Sequence, residues 1–383
     1  MANPHFTFAG FFFIQNLPRG MLLSVIPLQA LALTGNARDT SALLFAVSLG
    51  GVFAALIMPF VVKHLGARST FLLSNAVMIF SAILMSFGTL AFFAVGIFFH
   101  IFSVASAEVV LSLYVMHKIP RKEITLFEPL RVLFSILALT IGPFLGVYLQ
   151  SKIQIDLPYL LCAIFSLCAI VVFHRLRLHQ IKIITTKVTT TSPLSNLSRY
   201  FKQPRLRLAY GLALARSSWW SMFVIYTPIY AIESGLGELT GAALVSIGTA
   251  WTLSVPFWGW CARRYGVKII VLGGYVFNST MTMLVFLVSD LPILAAGLLV
   301  VAALGATMLD GVGNVLFFRA VRSQDRSQMA SVFVTYRDAA QLTTPGIYAL
   351  LLNYFTLPIV FLTASGWMMT AAWFSRYVPK RLK

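Results

Sequence analysis

The sequence is divided into apolar runs long enough to cross a lipid bilayer, and this pattern restricts the possible folds more than any other feature. A membrane-spanning helix needs about 20 predominantly apolar residues. Because backbone polar groups cannot stay unpaired in hydrocarbon, each run is predicted to be a helix. Six runs precede a hydrophilic stretch and six follow it, at 6–33, 41–62, 69–87, 89–117, 125–150 and 157–175, and then at 206–232, 239–262, 267–288, 292–320, 327–352 and 355–375.

The composition excludes the classes of soluble protein. Hydrophobic residues make up 59% of the chain and charged residues 10%, whereas a soluble globular domain carries about 25% charged residues. Three cysteines, Cys162, Cys168 and Cys261, lie inside apolar runs without CxxC spacing, so neither a metal site nor a disulfide framework is predicted. No GxxxxGK[ST] nucleotide-binding motif occurs, and we expect no cofactor.

Basic residues are concentrated on one side of the predicted spans, which gives the orientation in the membrane. Loops on that side, with the two termini, carry 23 Lys and Arg, and the opposite loops carry two. Cytoplasmic loops are enriched in Lys and Arg, so both termini are predicted to be cytoplasmic, in a bacterial-type cytoplasmic (inner) membrane. The net charge of +18 is thereby explained by topology, and no nucleic-acid partner is expected.

The two halves of the chain repeat one another at a nearly constant offset. Gly10 and Pro27 correspond to Gly211 and Pro228 at an offset of 201 residues, and Gly66 to Gly266 at 200. Such an offset indicates a duplicated six-helix unit of the same topology. We therefore predict an N-terminal six-helix bundle over 1–175, a cytoplasmic linker over 176–204 and a C-terminal six-helix bundle over 205–383.

This architecture and two local motifs resemble the major facilitator superfamily. The loop PFVVKHLGAR, with Gly66 and Arg68, is similar to the family's loop between spans two and three, and its counterpart reads GWCARRYGVK. In span five, IGPFLGV, with Gly142, Pro143 and Gly146, resembles the family's antiporter signature. The resemblance implies an all-α integral membrane protein with twelve transmembrane helices in two pseudo-symmetric bundles, working as a monomer by alternating access.

Eight charged residues fall inside the predicted spans and more than two residues from either end, where a charge costs about 2.5 to 3.5 kcal/mol on insertion scales. They must face an aqueous cavity or one another, which implies a polar interior. Four are bases and four are acids: Arg19, Arg131, Arg216 and Arg337, with Glu108, Glu128, Asp310 and Asp338.

Arg19 and Arg216 are the candidate substrate-binding residues. Under the repeat offset Gln15 is the counterpart of Arg216, and Trp220 that of Arg19, so the arginines lie one turn apart on equivalent faces of spans one and seven. In the family these spans line the central cavity, and the pair resembles that of the phosphate and organophosphate antiporters. A guanidinium fork suits a carboxylate or phosphate. Alternatively, each arginine pairs with a carboxylate on another helix. The full predicted binding set is Arg19, Arg216, Gln15, Asn16, Trp220 and Tyr226.

The remaining charges are predicted to serve gating or proton coupling. Glu108 and Asp310 occupy near-equivalent positions in the repeat, and we expect the pairs Glu108–Arg131 and Asp310–Arg337. In the alternative interpretation, one carboxylate loses its partner in one conformation and carries the coupling proton. Two further acids, Glu128 and Asp338, are candidates for the same role.

The sequence thus favours a secondary transporter of a small organic anion: a phosphorylated metabolite, a polycarboxylate or a carboxylate siderophore, driven by a proton gradient. The alternative is a proton-coupled efflux antiporter of drugs or metabolites, which the motif in span five would suit. A transporter-like sensor is a further alternative. We do not expect an enzyme, because no nucleophile or His/Asp cluster lies at a predicted bilayer edge.

Overall fold

A computed structural model describes residues 4–120, 123–178, 193–321 and 325–378; about half of the predicted linker, 179–192, lies outside the described residues. Within these ranges the chain is helical and contains no β-strand, which confirms the predicted all-α membrane class. The first five helices are α1 Pro4–Thr34, α2 Ala37–Ser86, α3 Leu90–Lys118, α4 Ile124–Lys152 and α5 Leu157–Arg175.

The second half contains shorter helical segments. They are α6 Pro193–Phe201, α7 Pro204–Glu233, α8 Glu238–Ala250, a 3₁₀ turn Trp251–Ser254, α9 Val255–Tyr265, α10 Val267–Leu287, α11 Pro292–Asp310, α12 Val315–Ala320, α13 Arg326–Val334, α14 Tyr336–Leu351 and α15 Ile359–Ser375. The chain forms two compact units, one containing the residues up to Thr186 with Glu238–Ser246, the other Lys187–Gly237 with the residues from Ile247 onward. The sequence did not indicate that the start of α8 groups with the first unit.

Glycine accounts for one difference between the predicted and observed helices. The second and third predicted runs are joined in α2, which bends at Gly66, where φ is 76°. Its counterpart in the repeat, Gly266, has φ 98° and separates α9 from α10. A left-handed backbone conformation favours glycine because it has no Cβ. The repeat therefore conserves a backbone bend as well as a residue type.

Three predicted spans are interrupted where the apolar pattern gave no signal. The eighth contains the 3₁₀ turn between α8 and α9. The tenth is broken at residues 311–314, between α11 and α12, and the eleventh divides at Thr335, between α13 and α14. Hydropathy reports the average polarity of a run and is insensitive to such local changes in backbone conformation.

Eight of the described helical segments are long and apolar enough to cross a membrane. The 30-residue α7, which contains Arg216 in its middle, is not among them. The shorter apolar helix α15 adds one more candidate. The total of twelve spans therefore stays a prediction, and the multi-pass character of the chain does not depend on it.

The first unit has an aromatic core. Phe8, Phe71, Phe127 and Phe173 are completely buried, and the rings of Phe71 and Phe173 stack at 4.4 Å. These rings come from α1, α2, α4 and α5, and buried residues of α3 such as Tyr114 complete the cluster, which therefore joins the helices α1 to α5. Burying each of these side chains contributes about 1.5 to 3 kcal/mol where the alternative is exposure to water.

Helices α1 and α4 are in direct backbone contact. A Cβ added at Gly142 would lie 2.3 Å from the carbonyl carbon of Gly20, and one added at Gly146 would lie 2.4 Å from the carbonyl oxygen of Met21. Small residues let membrane helices approach this closely. The glycines of the span-five motif are therefore explained by packing against α1, immediately next to Arg19.

The second unit includes the short helix α6, which packs against α7 and α13. Tyr200 is fully buried beside Phe317, and Phe317 stacks on Phe333 at 4.3 Å. Arg199 of α6 forms a salt bridge of 3.2 Å with Asp325, just before α13. The end of the predicted linker is thus an integral part of the second unit.

The contact between α1 and α4 predicts opposite effects for two glycine substitutions in one helix. Gly20→Ala would place its Cβ 2.3 Å from the carbonyl oxygen of Ala138, whereas a Cβ at Gly10 meets no atom within 4 Å. Overpacking costs about 1 to 3 kcal/mol, and Ala is favoured over Gly in a helix by about 1 kcal/mol. We expect Gly20→Ala to lower, and Gly10→Ala to hold or raise, the apparent melting temperature in detergent. Equal melting temperatures would contradict the close contact.

Candidate functional site

A cavity of about 220 Å³ lies within the first unit. Its walls come from α1, α2, α3 and α4, and the charged side chains among them are Arg19, Glu108 and Arg131. Four uncharged polar residues also line it: Gln15, Asn16, Ser112 and Ser135. The cavity therefore brings together five of the residues singled out from the sequence.

Arg19 and Glu108 form a long and accessible salt bridge across this cavity. Arg19 Nη1 lies 3.6 Å from Glu108 Oε2, and the side chains are 34% and 55% exposed. Exposed pairs of this kind contribute about 0 to 1 kcal/mol. The guanidinium of Arg19 is therefore weakly held and open to a competing anion.

Arg131 is engaged more closely by an acid of its own helix. Its Nε donates to Glu128 Oε2 at 2.9 Å, and its Nη2 donates to the other carboxylate oxygen, so the two side chains form a bidentate salt bridge. Such bidentate pairs are the stronger class of charged hydrogen bond. The two residues are three apart in α4, which places them on the same face of the helix.

In the second unit, Arg216 lies in a buried and fully occupied pocket. Its side chain is 8% exposed, and its Nε lies 3.2 Å from Asp310 Oδ1. It also donates to the carbonyl oxygen of Leu309 at 3.1 Å and to the hydroxyl of Tyr336 at 3.2 Å. Trp220 donates to the second oxygen of Asp310 at 3.0 Å. Each partner of the charge pair is thus satisfied by additional hydrogen bonds.

The break between α11 and α12 makes the space for this guanidinium. A Cβ added at Gly313 would lie 1.3 Å from Arg216 Nη1, a distance no side chain can occupy. Asp310 ends α11 at the same point. The interruption of the tenth predicted span therefore brings a carboxylate, a carbonyl oxygen and a glycine around one arginine.

The structure joins Glu108 to Arg19 and Asp310 to Arg216, as the alternative interpretation of the two arginines proposed. Arg131 meets Glu128, one turn away in its own helix, and Arg337 donates to the Tyr336 hydroxyl at 3.3 Å. Arg337 also interacts electrostatically with Asp310. The pairs Glu108–Arg131 and Asp310–Arg337 therefore stay predictions.

The other predicted site residues have different surroundings. Asn16 donates to the Phe12 carbonyl oxygen at 2.8 Å, while its side chain lines the cavity of the first unit. Tyr226 is fully buried against the ring of Tyr348 at 5.0 Å. Asp338 is partly buried in the first turn of α14. Tyr226 is thus part of the packing of the second unit.

Sequence analysis missed Tyr336 and Gly313, both of which contact Arg216. Tyr336 carries no signal that separates it from the other tyrosines. The glycine pair Gly311 and Gly313, which follows Asp310 directly, was a usable signal for a break in the helix.

Comparison with known proteins is consistent with this architecture. The model of the Major Facilitator Superfamily matches residues 8–345. A solved structure of the nucleoside transporter NupG is similar with a TM-score of 0.74 and 12% identity, covering 98% of each chain. A peptide transporter, POT, in complex with sulfate gives a TM-score of 0.78 at 14% identity, covering 99% of this chain and 94% of that chain.

A third solved structure, of a POT family transporter in complex with 5-aminolevulinic acid, has a TM-score of 0.74 and 15% identity over 96% of this chain and 94% of that one. At these identities the likeness shows the fold alone. No curated protein matches the sequence significantly.

The two salt bridges predict that the stability of the protein depends strongly on Asp310 and only weakly on Glu108. Asp310→Asn would leave the buried guanidinium of Arg216 without its counter-charge, which costs about 3 to 5 kcal/mol. Glu108→Gln breaks an exposed pair worth about 0 to 1 kcal/mol. We therefore expect a clear fall in the apparent melting temperature for Asp310→Asn and almost none for Glu108→Gln. Partial recovery in the double variant Asp310→Asn/Arg216→Gln would identify the unpaired charge as the cause. Equal melting temperatures for the two acid variants would contradict the assignment.

Proposed function

The chain belongs to the major facilitator superfamily of secondary transporters, and from that premise we propose that it carries a small organic anion together with protons. The observation that supports the anion most directly is the loosely paired guanidinium of Arg19 in the cavity of the first unit. A guanidinium binds carboxylates and phosphates through two parallel hydrogen bonds. Two solved structures of this fold hold sulfate and 5-aminolevulinic acid, so the fold admits ligands with an anionic group.

Glu108 is the proposed coupling acid. A substrate anion and the Glu108 carboxylate compete for the same guanidinium, since their oxygens need the same donors of Arg19. When the substrate takes Arg19, Glu108 loses the interaction with this guanidinium, and binding a proton offsets that loss. The other titratable groups close to this pair are Arg131, which lines the cavity, Glu128, which pairs with Arg131, and His100, which interacts electrostatically with Arg19. Proton and anion would then bind together.

Arg216 has a different role in this proposal. Its donors are used by Asp310, Leu309 and Tyr336, and its side chain is almost completely buried. This arrangement supports a structural brace that holds the break after α11. Substrate binding by Arg216 stays a prediction, and the lysine variants below separate the two roles.

Efflux of drugs or amphipathic metabolites receives less support. That alternative depended on the motif in span five, and the close approach of α4 to α1 accounts for Gly142 and Gly146 through packing. The cavity also contains the guanidinium of Arg19, whose positive charge disfavours a cationic substrate.

We further propose that the protein acts as a monomer in a bacterial cytoplasmic (inner) membrane. The 23 basic residues of one set of loops, against two on the other side, support cytoplasmic termini.

Arg19→Lys tests the anion-binding residue. Lysine keeps the positive charge and loses the planar fork, so we expect anion affinity to fall more than tenfold, which is about 1.4 kcal/mol. Binding of benzoate, citrate and phenyl phosphate to the detergent-purified protein can be measured by calorimetry. Arg38→Lys, an exposed arginine outside the cavity, is the matched control.

Arg216→Lys in the same assay is expected to lower the melting temperature with anion affinity retained. Wild-type affinity in Arg19→Lys would contradict the proposal, and a tenfold loss in both variants would show that Arg216 also binds.

Glu108→Gln tests proton coupling. The amide keeps the shape of the side chain and cannot carry the proton, so pH-gradient-driven uptake into proteoliposomes should be lost, while substrate exchange across the membrane continues. Glu123→Gln, which alters an exposed acid paired with His5, should leave both activities unchanged. Gradient-driven uptake by Glu108→Gln at the wild-type rate would rule this residue out as the coupling acid.

A further inference from the structure

We infer that the substrate is a monovalent anion, with one carboxylate on a compact apolar body, and that dianions such as phosphate esters and polycarboxylates are poor ligands. This inference rests on the proposed function and narrows it. It is based on which polar groups of the cavity in the first unit are already hydrogen-bonded within the protein and which remain available to a ligand.

Two of the arginines singled out from the sequence already use their hydrogen-bond donors within the protein. Arg131 meets both carboxylate oxygens of Glu128, and Arg216 meets Asp310, the Leu309 carbonyl oxygen and Tyr336. Arg19, with its single long contact of 3.6 Å to Glu108, is the guanidinium of the cavity that is held least. The cavity can therefore bind one anionic group of a ligand through the guanidinium of Arg19. It has no second uncommitted guanidinium for another anionic group.

The hydroxyl and amide groups of the cavity walls are also largely used. Ser112 donates to the carbonyl oxygen of its own helix at Glu108, at 2.8 Å, and Ser135 donates to that of Arg131 at 3.0 Å. Asn16 donates to Phe12 in the same way. Gln15 differs, because its Oε1 is buried and has no hydrogen-bond partner among the described residues. That oxygen is a hydrogen-bond acceptor, so it suits an N–H or O–H donor and offers nothing to a second carboxylate.

The charges around the cavity do not favour a dianion. Arg19 and Arg131 are balanced by Glu108 and Glu128, so the set of four is neutral before a ligand enters. A single negative charge on the ligand is matched by one proton on Glu108. A second negative charge would find no uncommitted guanidinium in the cavity and no further proton on Glu108, so it would lose part of its hydration without gaining a counter-charge.

The rest of the wall is apolar and limits the size of the ligand. The cavity measures about 220 Å³, compared with about 150 Å³ for an engineered apolar cavity that binds benzene. A six-membered ring with one carboxylate is therefore a suitable probe. The apolar wall consists of Phe12, Met78, Val104, Ala107, Leu111, Val132, Ile136 and Leu139.

Four ligands of similar size test the inference on the full-length wild-type protein: benzoate, terephthalate, phenyl phosphate and benzamide. Calorimetry should show benzoate binding at least tenfold more tightly than each of the other three. Tighter binding of terephthalate or phenyl phosphate would overturn the inference and leave the anion transporter intact. If benzamide bound best, or if none of the anions bound, the proposed function itself would fail.

A pair of variants at Gln15 tests whether the number of guanidinium groups sets the preference. Gln15→Arg adds a second fork beside Arg19 and should shift the preference towards terephthalate at least tenfold. Gln15→Met has similar length without charge and should keep the preference for benzoate. An unchanged preference in a folded Gln15→Arg protein, verified by its melting temperature, would contradict the inference.

Discussion

The cost of removing a guanidinium from water governs the arrangement of the charged side chains. An arginine inside the bilayer needs a counter-charge or an aqueous cavity. Arg19 and Arg216 both meet a carboxylate from a different helix, although neither has an acid close by in its own helix. Helices α1 and α7 are thereby tied to α3 and α11, and the positions of these bonds decide which groups stay available.

The two units use the same repeat position in different ways. Trp220, the counterpart of Arg19, donates to Asp310, which is the near-equivalent of Glu108. In the second unit the Asp310 carboxylate also forms a salt bridge with Arg216, one turn from Trp220 in α7. Gly313, in the break between α11 and α12, lies directly against this guanidinium. In the first unit the corresponding position is Gln15, so the cluster stays open as a cavity. One difference between the repeats thus accompanies a closed cluster in the second unit and an open cavity in the first.

Much of this fold was predictable, because the length of an apolar run and the distribution of basic residues both follow from the properties of the bilayer. The family was recognisable for the same reason, through the repeat and the loop containing Gly66. The break after Asp310 was missed since the apolar pattern continues through it. Sequence gives the depth of a residue and not the helix face opposite it, so the salt bridges of Arg19 with Glu108 and of Arg216 with Asp310 were expected only as an alternative. The local pair Glu128–Arg131 needed only the three-residue spacing and should have been preferred.

The short polar segment of α1 has a consequence for how such carriers diversify. Gln15, Asn16 and Arg19 lie within about one helical turn, and all three line the cavity. The glycine contact that fixes α1 against α4 starts at the next residue, Gly20, and the Arg216 cluster belongs to the other unit. Substrate preference could therefore change during evolution through mutations in a few adjacent codons, while the packing of the helices is retained.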